Sequence, residues 1–354
     1  MSVRTILTIA AVFIAASILN ISLPLVVHQY QSIYFVLIMS SIQFIIITLI
    51  ITLIIGKCHF GKFGDKRIII AIGIFNALTA ILIVYSADTS RTPAIIQSIL
   101  GSTNVIPSVL FTKFILGKKV RYNPKYIVPS ILLLMVSLII SCIPVIQSTF
   151  DTDTIKWICI YFIGILAGSF YNIMQEKYFI TMPESSILDK LTLMTFVTIS
   201  QLIILILLCW VEYFFGYTQR PIDAFVASIY TFTHNSIAII LLEIFIIFNI
   251  ITHLVCLYAV QISANYTIIA ITAAIPSIGV FFFIFPQFNE GIRYHWFEIF
   301  PCIICSIIAV ALWLKGEHHD GYEDTLLIKI LKRSKDVNIN EKTRLIQDNE
   351  KIDL

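Results

Sequence analysis

The sequence predicts an all-α polytopic membrane protein whose ten transmembrane helices form two inverted five-helix repeats, and three observations predict it. Of the 354 residues, 58% are apolar and 13% charged, with a mean hydropathy of +0.92. A soluble domain carries roughly 25% charged residues and about 45–50% apolar ones, so no water-soluble packing hides this surplus. Apolar runs long enough to cross a bilayer core, about 20 residues as a helix, recur along the chain. Two ordered motifs then appear once in each half. The same composition excludes a disordered chain, a disulfide scaffold and a nucleic-acid binder, since the net charge is +3 and no basic face stands out.

The runs fall at 5–28, 32–55, 68–86, 93–115, 126–147, 155–175, 190–215, 237–260, 266–285 and 296–314. Ile, Leu and Phe fill them, without the period-two alternation of outer-membrane barrel strands. The first run follows only Arg4 and has no clear small-residue cleavage site, so it reads as a retained helix rather than a signal peptide. The expected organisation is a first repeat over 1–150, a second over 151–314 and a flexible charged tail over 315–354.

Orientation follows from the basic residues. With a cytosolic N-terminus, Arg4, the loops holding Lys57, Lys62, Lys66, Arg67, Lys113, Lys118, Lys119, Arg121, Lys125, Lys177 and Lys190, and the tail place 20 of the 24 Lys and Arg on the cytosolic side. Arg91, Lys156, Arg220 and Arg293 remain opposite. This bias puts both termini in the cytosol. Cys58 falls in a cytosolic loop and the other cysteines in or at spans, so no lumenal pair is available for a disulfide. Cys302 and Cys305 share a CxxC spacing, but inside an apolar span this reads as packing rather than metal. The sequon Asn265-Tyr266-Thr267 falls in a cytosolic loop, where it stays unglycosylated.

Span 3 carries Phe75-Asn76, Thr79 and Tyr85, and span 8 carries Phe248-Asn249, Thr252 and Tyr258; both read F-N-x-x-T-x-x-x-x-x-Y. Spans 4 and 9 repeat T-x-x-I-P-S, as Thr103, Ile106-Pro107-Ser108 and Thr272, Ile275-Pro276-Ser277. Span 3 runs outward and span 8 inward, the inverted-repeat pattern of secondary carriers whose substrate lies near the midplane. Pro107 and Pro276 are expected to kink their spans and free the carbonyls of Thr103 and Thr272. Such kinks either line a wet cavity or are satisfied by neighbouring helices.

Intramembrane polar groups are costly and mark function or helix glue. The substrate-cavity candidates are Asn20 in span 1, Asn76 in span 3, Gln97, Thr103, Asn104 and Pro107 in span 4, Gln201 in span 7, Asn249, Thr252 and His253 in span 8, and Thr272 and Pro276 in span 9. Asn172 in span 6 is of the same kind. Asn249 and His253 stand four residues apart on one helix face. His253 is the proton-coupling candidate, because imidazole titrates between pH 5 and 8; a satisfied neutral histidine is the competing reading. Glu176, Glu212, Glu243 and Glu298 fall nearer the span ends. No HExxH, nucleophile elbow or phosphate-cradling glycine loop occurs, so neither an enzyme nor a cofactor is expected. His318-His319-Asp320 opens the polar tail and reads as solvated.

The stretch from Ile70 to Lys125, with "IIQSILGSTNVIPSVLFTKFIL", resembles the chloroquine resistance transporter-like family of the drug/metabolite transporter superfamily. So do "GSFYNIMQEKYF", Gln201 and "IFNIITHLVCLYAVQISANYTIIAITAAIPSIGVFFF", which extends the resemblance over about residues 5–314. The resemblance implies a two-times-five inverted-repeat fold in an acidic vacuole or lysosome. It also implies export of amino acids, small peptides, glutathione-like thiols or cationic drugs to the cytosol, usually with the proton gradient. Cavity acids of drug-transporting members stand here as Asn76 and Thr252, which favours neutral or zwitterionic solutes. Residues 222–232 are expected to form a short surface helix, as in relatives, although the cysteines that relatives carry in this loop are missing.

In the tail, Glu323 precedes Leu327-Ile328, and Glu341 precedes Leu345-Ile346. The second is the better candidate for an acidic dileucine signal that adaptor proteins bind on an endolysosomal protein. Lys332, Arg333 and Lys335 offer contact with anionic lipid headgroups instead. The expected function is a carrier of small organic solutes; the alternatives are a nucleotide-sugar or other Golgi-type carrier and a non-transporting membrane scaffold.

Overall fold

The computed structural model describes residues 3–88, 91–92, 96–97, 100–101, 103–116, 121–148, 152–182, 185–210, 220–262 and 295–318. They form helices α1 (Val3–Gln29), α2 (Ile33–Ile55), α3 (Lys66–Ser86), α4 (Val105–Phe111), α5 (Pro124–Ser148) and α6 (Thr152–Thr181). α7 (Ile187–Leu207), α8 (Pro221–His234), α9 (Ser236–Ile262) and α10 (Trp296–Gly316) follow. A π-type turn, Thr112–Leu116, continues α4. Strands β1 (Arg121–Tyr122) and β2 (Glu317–His318) pair antiparallel, so His318 is tied to Arg121 by its backbone. Among the described residues seven helices, α1, α2, α3, α6, α7, α9 and α10, are long and apolar enough to cross a membrane, which is consistent with a multi-pass membrane protein. α5 and residues 106–116 contribute shorter apolar helices.

Helix ends follow local chemistry. The Ser32 hydroxyl caps α2, the Asp65 carboxylate accepts from Arg67 N at 2.9 Å, and Ser186 with Asp189 forms a reciprocal capping box on α7. Pro221 opens α8, where the missing N–H costs nothing. Inside the bundle, hydroxyls turn back to their own helix, as Thr48 to Phe44 O (2.8 Å) and Thr52 to Thr48 O (2.6 Å). That satisfies polar side chains without water.

Span 4 departs from the expected single helix over 93–115. The chain turns at Thr103–Asn104, and Pro107 is the third residue of α4, so its absent N–H falls in a first turn that has no partner to lose. The Thr103 carbonyl is not freed: it accepts from Ile106 N at 3.0 Å. α7 ends at Leu207, short of the expected 215, and residues 211–219 lie outside the described residues. Span 9 at 266–285, with Thr272 and Pro276, the sequon and the tail signal Glu341, Leu345 and Ile346 also lie outside the described residues.

α3 packs on α6 and α7, α1 on α9, α2 on α7 and α9, and α5 on α10. The largest buried cluster joins α2, α3, α6, α7 and α9 through Phe44, Ile72, Tyr171, Leu193, Val197 and Leu257. α1 and α9 run antiparallel: Val12 meets Cys256 and Ala259, while Val26 meets Ala238. These pairings define two ends. One, here the near end, gathers the α2–α3 loop, the α6–α7 connection, the end of α9 and the β1–β2 pair. The far end gathers Tyr30–Ser32, Arg91, Trp157 and α8.

Candidate functional site

Polar side chains expected at mid-depth meet along one stretch of α6, Ser169-Phe170-Tyr171. On one side, Asn76 Nδ2 on α3 donates to Gln201 Oε1 on α7 at 2.6 Å, uniting two residues from different spans. Beside them the Ser169 hydroxyl bonds the Asn104 side chain and its carbonyl. Phe170 packs its ring 4.0 Å from Phe75 and 5.4 Å from Phe111, giving this side an aromatic wall. Asn76, Gln201 and Asn104 are half-buried.

On the other side of α6, the His253 ring stands edge-on to Phe44 (5.4 Å) and to Tyr171 (6.3 Å). Its Nδ1 donates to the Asn249 carbonyl at 3.0 Å, which leaves Nε2 as the nitrogen able to take up a proton. The Asn249 backbone carbonyl is thus engaged by the histidine four residues on. Thr252 is buried, and its hydroxyl has no hydrogen-bond partner among the described residues. Gln175, one helical turn from Tyr171, likewise buries an unpartnered Oε1. A buried polar atom left unmade is costly, so Gln175 Oε1 marks a place where a donor belongs and the Thr252 hydroxyl one where a donor or an acceptor does.

Three candidates are held by local structure. Asn20 donates to Ala16 O within its own helix at 2.8 Å, and Pro24 lies four residues on inside α1. Gln97 is buried with its amide on Ala87 O (2.8 Å) and Thr92 O (2.7 Å), and Thr103 bonds Leu100 O at 2.7 Å. The Asn20 bond is internal to α1, and those of Gln97 and Thr103 read as turn-forming contacts. The Pro24 signal was legible at the same spacing as Thr103 and Pro107, since proline clashes with the carbonyl four residues earlier, here that of Asn20.

Sequence reasoning missed a buried charged group at the near end. Lys190, expected as a loop cation, is 2% exposed. Its ammonium donates to Ser185 O at 2.9 Å and lies 4.4 Å over the Tyr258 ring, while Glu176 on α6 is also buried. Lys190 and Tyr258 both stand in the sequence at span ends, but nothing in their spacing announces the ring contact. Among the described residues no cluster of His, Cys, Asp and Glu could hold a metal ion.

No family model and no curated protein matches the chain. One solved structure, titled only "Crystal structure of protein", superposes over 87% of this chain and 98% of its own length, with a TM-score of 0.51 and 12% identity. The likeness is one of fold, and the chain is similar to a solved protein over nearly that protein's entire length.

Proposed function

We propose that the chain is a secondary-active carrier of ten membrane spans in two inverted repeats, similar to the chloroquine resistance transporter-like family. It moves small organic solutes out of an acidic endomembrane compartment by alternating access. The observation that carries this reading is the pairing of the helices. When each span is exchanged for the one five places away in the repeat, α3 on α6 becomes α9 on α1. In the same exchange α3 on α7 becomes α9 on α2, while α2 on α7 and α5 on α10 map onto themselves; every one of these pairs packs. Such exchange symmetry supports a duplicated five-span unit, and the odd number of spans in each unit would invert the second copy.

Orientation has its own support: Lys57, Lys62, Lys66, Arg67, Lys190 and Lys315 collect at the near end, against Arg91, Lys156 and Arg220 at the far end, a bias that supports a cytosolic near end. The mid-depth groups on either side of α6 are amides, hydroxyls, rings and one imidazole, a lining suited to neutral or zwitterionic solutes. His253 is the group that couples movement to protons.

Purified protein in liposomes with an imposed pH gradient tests the proposal against a panel of amino acids, dipeptides, thiols and organic amines. At least one solute is expected to move faster than in empty liposomes and to follow the gradient. Movement of none of them favours the scaffold reading. Movement of nucleotide sugars instead favours the Golgi-type carrier, for which the buried Lys190 is the supporting observation. His253→Ala is expected to flatten the pH profile of uptake between pH 5 and 8; an unchanged profile removes its proton role.

A further inference from the structure

The loop between α2 and α3 has no regular secondary structure from His59 to Asp65, yet three of its backbone N–H groups are bonded to side chains across the bundle. Gly61 N donates to Thr192 Oγ1 at 2.8 Å, Lys62 N to Asp189 Oδ1 at 2.6 Å and Gly64 N to the Tyr178 hydroxyl at 3.0 Å. Thr192 and Asp189 lie at the start of α7 and Tyr178 near the end of α6, so the loop bridges both helices. Two glycines permit the approach. A Cβ on Gly61 would come within 2.6 Å of Asp189 Oδ1 and 2.7 Å of its Cα, and one on Gly64 within 2.6 Å of the Tyr178 ring. Phe60 and Phe63 then close edge-on around Phe196 of α7, with ring centroids at 5.7 and 4.8 Å.

We infer that this loop is the near-end gate of the carrier: a strap latched to Asp189, Thr192 and Tyr178 that holds the α2–α3 and α6–α7 ends together and must lift for the near end to open. The inference rests on the carrier reading for its purpose. The placement of the bonds supports it physically. At mid-depth a broken bond leaves an orphaned group in hydrocarbon, whereas at the bilayer surface released N–H groups and oxygens rehydrate. A polar latch therefore parts reversibly at an end of the bundle, as this one stands, and not at mid-depth. Asp189 has a second task, since its Oδ2 accepts from Ser186 N and Ser186 Oγ, both at 2.7 Å, and stays engaged with the α7 cap when the strap leaves. The strap can thus lift without unwinding the helix beneath it.

Gly61→Ala is the direct test, because the added methyl meets the Asp189 backbone while every side chain of the α7 cap remains. In the full chain in lipid, hydrogen exchange over residues 56–65 is expected to rise at least tenfold in this variant, with residues 186–192 unchanged. In a Phe63→Cys, Phe196→Cys pair made with Cys58→Ser, a short bismaleimide is expected to bridge the strap and abolish solute movement, while either single cysteine treated alike keeps it. Equal exchange in Gly61→Ala and the parent chain, or full movement with the bridge in place, overturns the gate. Exchange is read without any solute. A panel that moves with neither the parent chain nor the variants counts against the carrier reading, and the latch is then judged by exchange alone.

Discussion

The two ends of the bundle are closed by different chemistry. At the near end an irregular loop gives backbone N–H groups to a carboxylate, a hydroxyl and a phenol. At the far end a helix does the closing: α8 sets Phe225 and Phe232 against Phe35, with ring centroids at 5.5 and 6.0 Å. Ser228 there accepts from Ser32 N at 2.8 Å, and Tyr30 donates to Ala238 O at 3.1 Å. The difference is one of proportion: the near end combines three backbone N–H bonds that water can replace with the Phe60 and Phe63 contacts on Phe196, while the far end sets a whole helix and the rings of Phe35, Phe225, Phe232 and Tyr30 together, a closure whose resistance scales with the apolar area uncovered.

Breaking the far end should cost the most. Phe35→Ala removes a side chain 2% exposed, together with its stack on Tyr30, and is expected to lower stability by about 3 kcal/mol in a detergent melt. Asp189→Ala, which strips the near end of its strap contact and its helix cap, should cost about 2 kcal/mol. Asp189→Asn, whose amide oxygen still accepts, should recover part of that. An Asp189→Ala loss exceeding that of Phe35→Ala would reverse the contrast between the ends.

Tyr30→Phe should cost about 1 kcal/mol by removing the bond to Ala238. It also sharpens the comparison through alkaline pH. Burial first, and the Glu243 carboxylate second, push the Tyr30 phenol up to about 12. The unfolded chain ionises near about pH 10, so the folded state's hold on this proton is fully present below about pH 10 and is lost as pH rises through about 12. Melting curves across that window should slope downward in the parent chain and less so in Tyr30→Phe. Between the ends, Gln201→Leu breaks the amide pair with Asn76 and should cost only about 0.6 kcal/mol, the ordinary worth of a polar contact between membrane helices. Its effect is expected in solute uptake rather than in the melt.

The spans were the legible part of this chain. Lipid demands length and apolarity of a helix, and both are written residue by residue, so 32–55 and 237–260 match α2 and α9 within two residues. α8 was expected from the resemblance rather than from apolarity, and the expected 222–232 falls within Pro221–His234. Partner choice was not legible. An Asn in an apolar run states that a partner is needed without saying whether its own helix supplies it, as for Asn20, or another, as for Asn76. Span 4 failed because a proline three residues into a new helix and a proline kinking an old one look alike in sequence; the turn at Thr103–Asn104 decides between them. The strap was invisible because its donors are backbone groups, which every residue but proline possesses.

α5 and α10 pack on each other through small hydroxyl residues: Ser130 donates to Ala309 O at 2.6 Å and Ser137 to Cys302 O at 3.0 Å. Their two partners are made 165 and 179 residues apart along the chain. During synthesis, α5 is therefore made with both hydroxyls awaiting a helix that does not yet exist. Completion of α5 thus waits on α10, and a chain that stops before Trp296 leaves α5 without the face that completes it.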